Sequence, residues 1–211
     1  MRWLAIECAS EACSVALFDD DRTLIAHDHR VLGRGHAEHL LPMIAALPDR
    51  GRAGRIAVSR GPGSFTGVRI GLATARALAL AWQAELVAYP TLALVAACAQ
   101  AARGAVPVAA AMTGGHGEIF VQNFAADATP LDDVQSLPAA AAAAAVRGAL
   151  VAGTRAEELA ALVPGAEALA LHPDARRVTA LAPALLTPDI APVYGRPPDA
   201  RLPGGGTRAP G

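Results

Sequence analysis

Hydrophobic and polar positions follow two periods along the chain. Trp3 to Glu7, Cys13 to Phe18 and Thr23 to Asp28 are short β-leaning runs. A polar turn (Ala9-Ser10-Glu11) and an acidic one (Asp19-Asp20-Asp21) part them, which predicts an antiparallel meander. A helix follows from Gly35 or His36, carrying Leu40, Leu41, Met43, Ile44 and Leu47; Pro42 must bend it or sit where an N–H is dispensable. Strand Ile56 to Val58, a helix from Thr66 or Gly67 to about Trp82, strand Glu85 to Tyr89 and helix Thr91 to Arg103 complete the order βββαβαβα. Parallel strands joined through helices, beside a hairpin edge, make an α/β unit with a mixed sheet. From Val106 the pattern restarts: strands Val106 to Met112 and Glu118 to Phe124, a helix through the alanines 139 to 145, and strand Leu150 to Ala152. Helix Thr154 to Leu162, strand Ala168 to Leu171 and a helix near Ala175 to Leu186 follow. The repetition predicts two lobes, 1–103 and 104–195, while the Pro-, Gly- and Arg-rich end predicts a loose tail over 196–211.

The joint between strand Ile56 to Val58 and the long helix reads Ser59-Arg60-Gly61-Pro62-Gly63-Ser64-Phe65-Thr66-Gly67. Gly61 and Gly63 permit backbone angles closed to other residues, Ser64 or Thr66 can cap the helix, and its first N–H groups point into the loop. That suits an anion. Yet a Walker loop needs Gly-Lys-Ser/Thr, which is absent, and a dinucleotide fingerprint needs a third glycine where Thr66 stands. Two readings stay open: phosphate binding, or a tight turn that packs the helix on its sheet. Further along the helix, Arg69, Arg76 and Gln83 recur every seven residues, flanked by Leu72, Ala73, Ala79 and Leu80, with Gly67, Gly71, Thr74 and Leu78 opposite. A charge stripe is commonly solvated, but a helix apolar nearly all round wants cover on both sides.

Composition narrows the classes. With 53% hydrophobic and 18% charged residues, the 211-residue chain is globular rather than disordered. A net charge of −1 supplies no basic surplus for binding nucleic acid unaided. Cys8, Cys13 and Cys98 are odd in number and form no C-x-x-C pair, which fits reduced thiols better than a disulfide framework or a zinc site. His36 and His39 share a helix face, but no third ligand is displayed, so no metal is expected. The apolar N-terminal run is too short for a signal peptide, and Leu86 to Ala102 is interrupted by Pro90; a cytoplasmic protein without a membrane span is expected.

Gly61-Pro62-Gly63-Ser64-Phe65-Thr66-Gly67-Val68-Arg69-Ile70-Gly71-Leu72 resembles the signature of the TsaB (YeaZ) family, which serves tRNA modification. The likeness extends to Leu4-Ala5-Ile6-Glu7, Glu11 to Leu17, Gly33-Arg34-Gly35-His36, Leu40 to Ile44, Gly117-Glu118-Ile119-Phe120 and Pro192-Val193-Tyr194. It is dense to about residue 125 and thin afterwards. The resemblance implies two ribonuclease H-like lobes of the actin, Hsp70 and sugar-kinase type. In ATP-using members of that superfamily, an acid ending the first strand and small-residue turns in both halves hold metal and phosphates. Here the matching positions are Glu7, Ser10, Gly61, Gly63 and Thr113, a degenerate remnant of that pocket. The family usually starts Ile-Asp-Thr-Ser, whereas this chain has Ile6-Glu7-Cys8-Ala9, and Thr113 replaces the acid of the second turn. No catalytic residue is therefore expected, because Mg²⁺ needs placed carboxylates as well as backbone amides.

By the same resemblance, the chain is a non-catalytic subunit of the complex that makes N6-threonylcarbamoyladenosine next to the anticodon of tRNAs reading codons that begin with A. TsaD transfers the group from threonylcarbamoyl-AMP, this chain braces TsaD, and TsaE joins as an ATPase. The implied docking surface for TsaD, or for a second copy when TsaD is absent, contains Leu40, Met43, Arg69, Leu72, Arg76 and Leu80. ATP and metal are expected in the partner subunits, none is expected on this chain alone, and tRNA is reached only through the complex. The alternative is an ATP-dependent enzyme of the superfamily acting alone, kinase-like or metallopeptidase-like. The second of these lacks H-E-x-x-H and any spaced nucleophile constellation.

Overall fold

The computed structural model describes residues 1–195, so the tail expected over 196–211 lies outside the described residues. The meander β1 (Trp3–Glu7), β2 (Ala12–Phe18) and β3 (Leu24–Val31) leads into α1 (His36–Ala46), β4 (Arg55–Ser59), α2 (Phe65–Trp82), β5 (Glu85–Tyr89) and α3 (Thr91–Arg103). The second unit comprises β6 (Val108–Thr113), β7 (Ile119–Phe124), β8 (Gln135–Leu137), α4 (Ala139–Ala145), β9 (Leu150–Gly153), α5 (Ala156–Ala160) and β10 (Glu167–Ala170). One sheet is ordered β3-β2-β1-β4-β5 and the other, read in the corresponding direction, β8-β7-β6-β9-β10. In both, the first three strands of the unit pair antiparallel and the last two join in parallel. The two mixed-sheet lobes thus carry the duplication that the hydrophobic pattern predicts.

Every residue of β1 and β2 is buried, because helices or turns cover both faces of the sheet. One face, with Leu4, Ile6, Val15, Leu17, Ile56 and Val58, packs on α1 and α2. The other, with Trp3, Ala5, Phe18, Ala57 and Tyr89, meets α3, whose far side meets Val108, Ala110 and Met112 of β6 and Phe120 and Phe124 of β7. α3 therefore fills the space between both sheets, and α4 and α5 cover the outer face of the second sheet. The boundary at residue 103 ends α3, but the apolar core runs across it.

Four elements differ from the sequence expectation. β3 continues past Asp28 to Val31, because its ladder with β2 extends to the Ala12–Val31 pair. β8 is unforeseen: three residues are too few for a period of two to show, and only the ladder to β7 defines it. α5 is trimmed to Ala156–Ala160. The last expected helix is instead two 3-10 turns, Ala175–Ala180 and Pro183–Leu185, parted by extended Leu181 and by Pro183, which has no N–H to continue a helix. After these turns the chain returns to the first lobe, where Thr187 and Ala88 exchange backbone hydrogen bonds of 2.9 and 2.8 Å beside β5.

α2 starts with Ser64 as N-cap, its Oγ accepting the Gly67 amide at 3.2 Å. The helix lies so close to the turn after β1 that a Cβ on Gly67 would stand 2.0 Å from the Cys8 carbonyl oxygen. Gly67→Ala sets a helix-propensity gain of about 1 kcal/mol against a clash with backbone that has no rotamer to escape into. We expect the clash to win, giving a lower urea midpoint at unchanged m-value; a raised midpoint would show that α2 is free to lift off the turn.

Candidate functional site

A cleft of about 260 Å³ opens between the lobes. The first lobe contributes Ala9, Ser10 and Glu11 from the β1–β2 turn, Gly33, and Gly63, Ser64 and Phe65 at the start of α2; the second contributes Met112 to Gly115 and Thr154. Of the five remnant positions, Ser10, Gly63 and Thr113 meet at this cleft. Gly61 and Glu7 do not. A Cβ on Gly61 would lie 2.5 Å from the Val193 carbonyl oxygen, so that glycine accommodates the returning C-terminal segment.

Several polar groups of the cleft are committed to one another. The Ser64 amide donates to the Ala9 carbonyl at 2.7 Å, and a Cβ on Gly63 would come within 2.1 Å of that same oxygen. Ser10 Oγ accepts the Ala12 amide at 3.1 Å, and Thr154 Oγ1 accepts the Thr113 amide at 3.2 Å. Of the two readings of the glycine loop, close packing of α2 on β1 is the one this geometry supports. Thr154 is the cleft residue that sequence reasoning missed; its signal is the Gly153-Thr154 step that ends β9, the second-lobe counterpart of β4.

Glu7 ends β1 beneath the cleft, fully buried. Its Oε1 accepts the Ala9 amide at 2.7 Å, and its Oε2 is buried without a hydrogen-bond partner. Burial pushes the carboxyl up to about 7, only partly offset by the hydrogen bond from the Ala9 amide. The fold family's phosphate turn would need an acid that reaches the cleft, and Glu7 does not reach it. Among the described residues, no group of three His, Cys, Asp or Glu side chains could hold a metal ion. His36 Nε2 lies 3.0 and 3.2 Å from the carbonyls of Ser10 and Ala12, which makes it a donor that ties α1 to the β1–β2 turn. His39 Nδ1 lies 2.8 Å from the Gly35 carbonyl at the start of α1.

The residues expected at a docking surface separate into two sets. Leu40, Met43 and Leu72 are 1%, 1% and 3% exposed, inside the core that contains Ile6 and Val58. These three are corrected from surface to core. The buried stripe of α2 is Gly67, Val68, Gly71, Leu72 and Ala75, and in a helix apolar on most sides the periodicity leaves its edges undefined. Leu80 does face outward near the C-terminal end of α2, 84% exposed; Phe65 at the start of α2 and Leu41 of α1 are each 53% exposed. Arg69 and Arg76 are exposed but engaged. Arg69 donates from Nε and Nη2 to the Tyr194 hydroxyl at 3.2 and 3.1 Å and lies 3.5 Å from the centre of the Phe65 ring; Arg76 donates to the Ile190 carbonyl at 3.2 Å. With the Arg60–Asp189 ion pair at 2.9 Å, they strap the C-terminal segment along α2.

Glu7 makes fold stability pH-dependent with a definite sign. Between its ordinary value of 4.5 and its folded value of about 7, the unfolded chain ionises while the folded chain stays protonated. Stability from this group is therefore full below 4.5, falls as pH rises to about 7, and is flat above. The gap corresponds to about 3 kcal/mol. Glu7→Gln should remove that loss and be the more stable protein at pH 8 but not at pH 4 in urea titrations; parallel curves for variant and wild type would refute the assignment.

Residues 30–172 match the family model described as TsaD, tRNA N6-adenosine threonylcarbamoyltransferase. The tRNA threonylcarbamoyladenosine biosynthesis protein TsaB of Escherichia coli (strain K12) is 40% identical over 132 residues, covering 60% of this chain and 56% of that protein. The TsaB of Haemophilus influenzae is 33% identical over 123 residues, 56% of this chain and 51% of that one. The matched stretch thus spans about half the length of these curated relatives. Among solved structures, YeaZ from Pseudomonas aeruginosa superposes with a TM-score of 0.76 at 29% identity, over 92% of this chain and 99% of that one. Among the described residues, no helix is long and apolar enough to cross a membrane. With a TsaD-type domain over most of its length, TsaB relatives in sequence and YeaZ in structure, the chain belongs to the TsaB (YeaZ) family.

Proposed function

We propose that the chain takes part in the synthesis of N6-threonylcarbamoyladenosine in tRNA, as a non-catalytic subunit that braces TsaD through the outer surface of α1 and α2. The observation that carries this reading is the state of that surface. Leu80 stands 84% exposed, Leu41 and Phe65 are more than half exposed, and Ala73 and Ala77 lie exposed between Arg69, Arg76 and Leu80. Alanines there let another helix approach closely, and the large apolar groups gain most from being covered. The cleft supports the non-catalytic part: the Ser64 and Thr113 amides are spent on internal hydrogen bonds and the acid at the end of β1 is sealed below. In this reading TsaE, ATP and metal belong with the partner subunits, and a second copy of the chain takes the surface when TsaD is absent. tRNA is reached only within the complex, because a net charge of −1 gives little counterion release.

Leu80→Asp and Leu72→Asp test the surface against the core. The first should leave thermal stability unchanged and weaken TsaD binding by about thirtyfold, the effect of roughly 2 kcal/mol at an interface anchor. The second should unfold the chain, since Leu72 is only 3% exposed and a buried carboxylate there would have no partner. Unchanged TsaD binding by a folded Leu80→Asp variant would remove α2 from the interface.

A further inference from the structure

The turn between β1 and β2 is a junction for the first lobe. The Ala9 carbonyl accepts the Ser64 amide at 2.7 Å, the Glu11 carbonyl accepts the amides of Leu32 and Gly33 at 2.9 Å each, and the carbonyls of Ser10 and Ala12 hold His36. α1, α2 and the end of β3 all hang on these four residues. At the base of the turn stand Cys8 and Cys13, one step beyond the Glu7–Ser14 pair that ends the β1–β2 ladder. Their sulfurs are 3.7 Å apart, both thiols are free, and exposure is 2% for Cys8 and 0% for Cys13.

Residues facing each other on antiparallel strands have Cα atoms about 4.5–5.5 Å apart, inside the range a disulfide accepts. The sulfurs need only close from contact distance to about 2 Å. Room for that rotation exists on the α2 side: Gly71 faces Cys8 with no side chain, and even a Cβ there would stand 3.8 Å from Cys8 Sγ. We propose that Cys8 and Cys13 are a redox pair, which a small peroxide converts to an intramolecular disulfide that staples the turn and which a dithiol restores.

The hydrogen bond between the two thiols lowers Cys13 and raises Cys8, so Cys13 is the thiol that ionises first. Its sulfur attacks one peroxide oxygen; an S–O bond forms, the O–O bond breaks, and the departing hydroxide leaves as water with the Cys13 proton. Cys8 sulfur then attacks the Cys13 sulfenic sulfur, the S–S bond forms, the S–O bond breaks, and a second water leaves with the Cys8 proton. The sulfurs give up two electrons and the peroxide takes up two. Hydrogen peroxide, little larger than water, suits sulfurs this buried. Cys98, half-buried with its thiol pushed up to about 12 by burial, has no neighbouring thiol and serves as an internal control.

The test treats the folded full chain with hydrogen peroxide, removes the peroxide, alkylates in urea without reduction and digests with trypsin. Both cysteines fall in the peptide Trp3–Arg22. The expected result is loss of both alkylation sites in that peptide, a mass lower by two hydrogens, and full reversal by dithiothreitol, with Cys98 still alkylated. The oxidised chain should also show a higher urea midpoint that dithiothreitol abolishes and that Cys13→Ala never acquires; should that variant fail to fold, the wild-type peptide mass decides alone. Oxidation confined to Cys98, sulfinic or sulfonic acid on unlinked thiols, or a disulfide that forms only in denaturant would each overturn the proposal.

Discussion

The burial of α3 between the two sheets is the constraint on which the remaining architecture depends. Eight of its residues, from Thr91 to Ala99, are buried, and its neighbours come from β1, β4 and β5 on one side and from β6, β7 and β9 on the other. A helix in such a position can expose no polar stripe, so its sequence, Leu-Ala-Leu-Val-Ala-Ala, is apolar all round and rich in alanine. Alanine loses no side-chain entropy on burial and lets both sheets approach closely. With the 3-10 turn Ala175–Ala180, which also packs on β1, β2 and β3, this helix covers the inner faces of the sheets, and one apolar core runs across both lobes.

On the other face of the first sheet the controlling contact is backbone against backbone. Gly67 brings α2 onto the Cys8 carbonyl and Gly63 lies against the Ala9 carbonyl, with the Ser64 amide bonded to the latter. In a nucleotide-using relative of this fold, amides at such a helix start would face phosphate. Here the Ser64 amide goes to the Ala9 carbonyl and the Gly67 amide to the Ser64 hydroxyl, and the acid at the end of β1 lies sealed beneath them with one oxygen unpaired. A buried carboxyl in that position stays protonated well above the usual carboxylate range, so it behaves as a neutral hydrogen-bonding group through much of the acidic range.

The C-terminal segment explains why a guanidinium stripe tolerates an apolar helix face. Arg60, Arg69 and Arg76 each reach a group between residues 189 and 194: a carboxylate, a phenol and a backbone carbonyl. The strap lies beside the exposed apolar residues of α2 rather than over Leu80, so the first lobe is braced along one flank while the outer surface stays open.

The periodicity of the chain was enough to determine the element order of the first lobe and the mixed α/β character of both, because strands and helices this apolar leave a period of 2 or 3.6 whatever surrounds them. The loop Gly61 to Gly67 was also legible as a tight joint with a capped helix, since those residue types answer to local backbone geometry. Which faces are covered was not. Leu72 and Leu80 look alike in the sequence of α2, yet one is 3% and the other 84% exposed, because only the position of the sheet decides which side of an apolar helix is inside. The three-residue β8 and the return of Tyr194 to Arg69 were likewise decided by tertiary structure. β8 is defined only by its ladder to β7 and Tyr194 by a partner 125 residues away, and no local pattern encodes such partners.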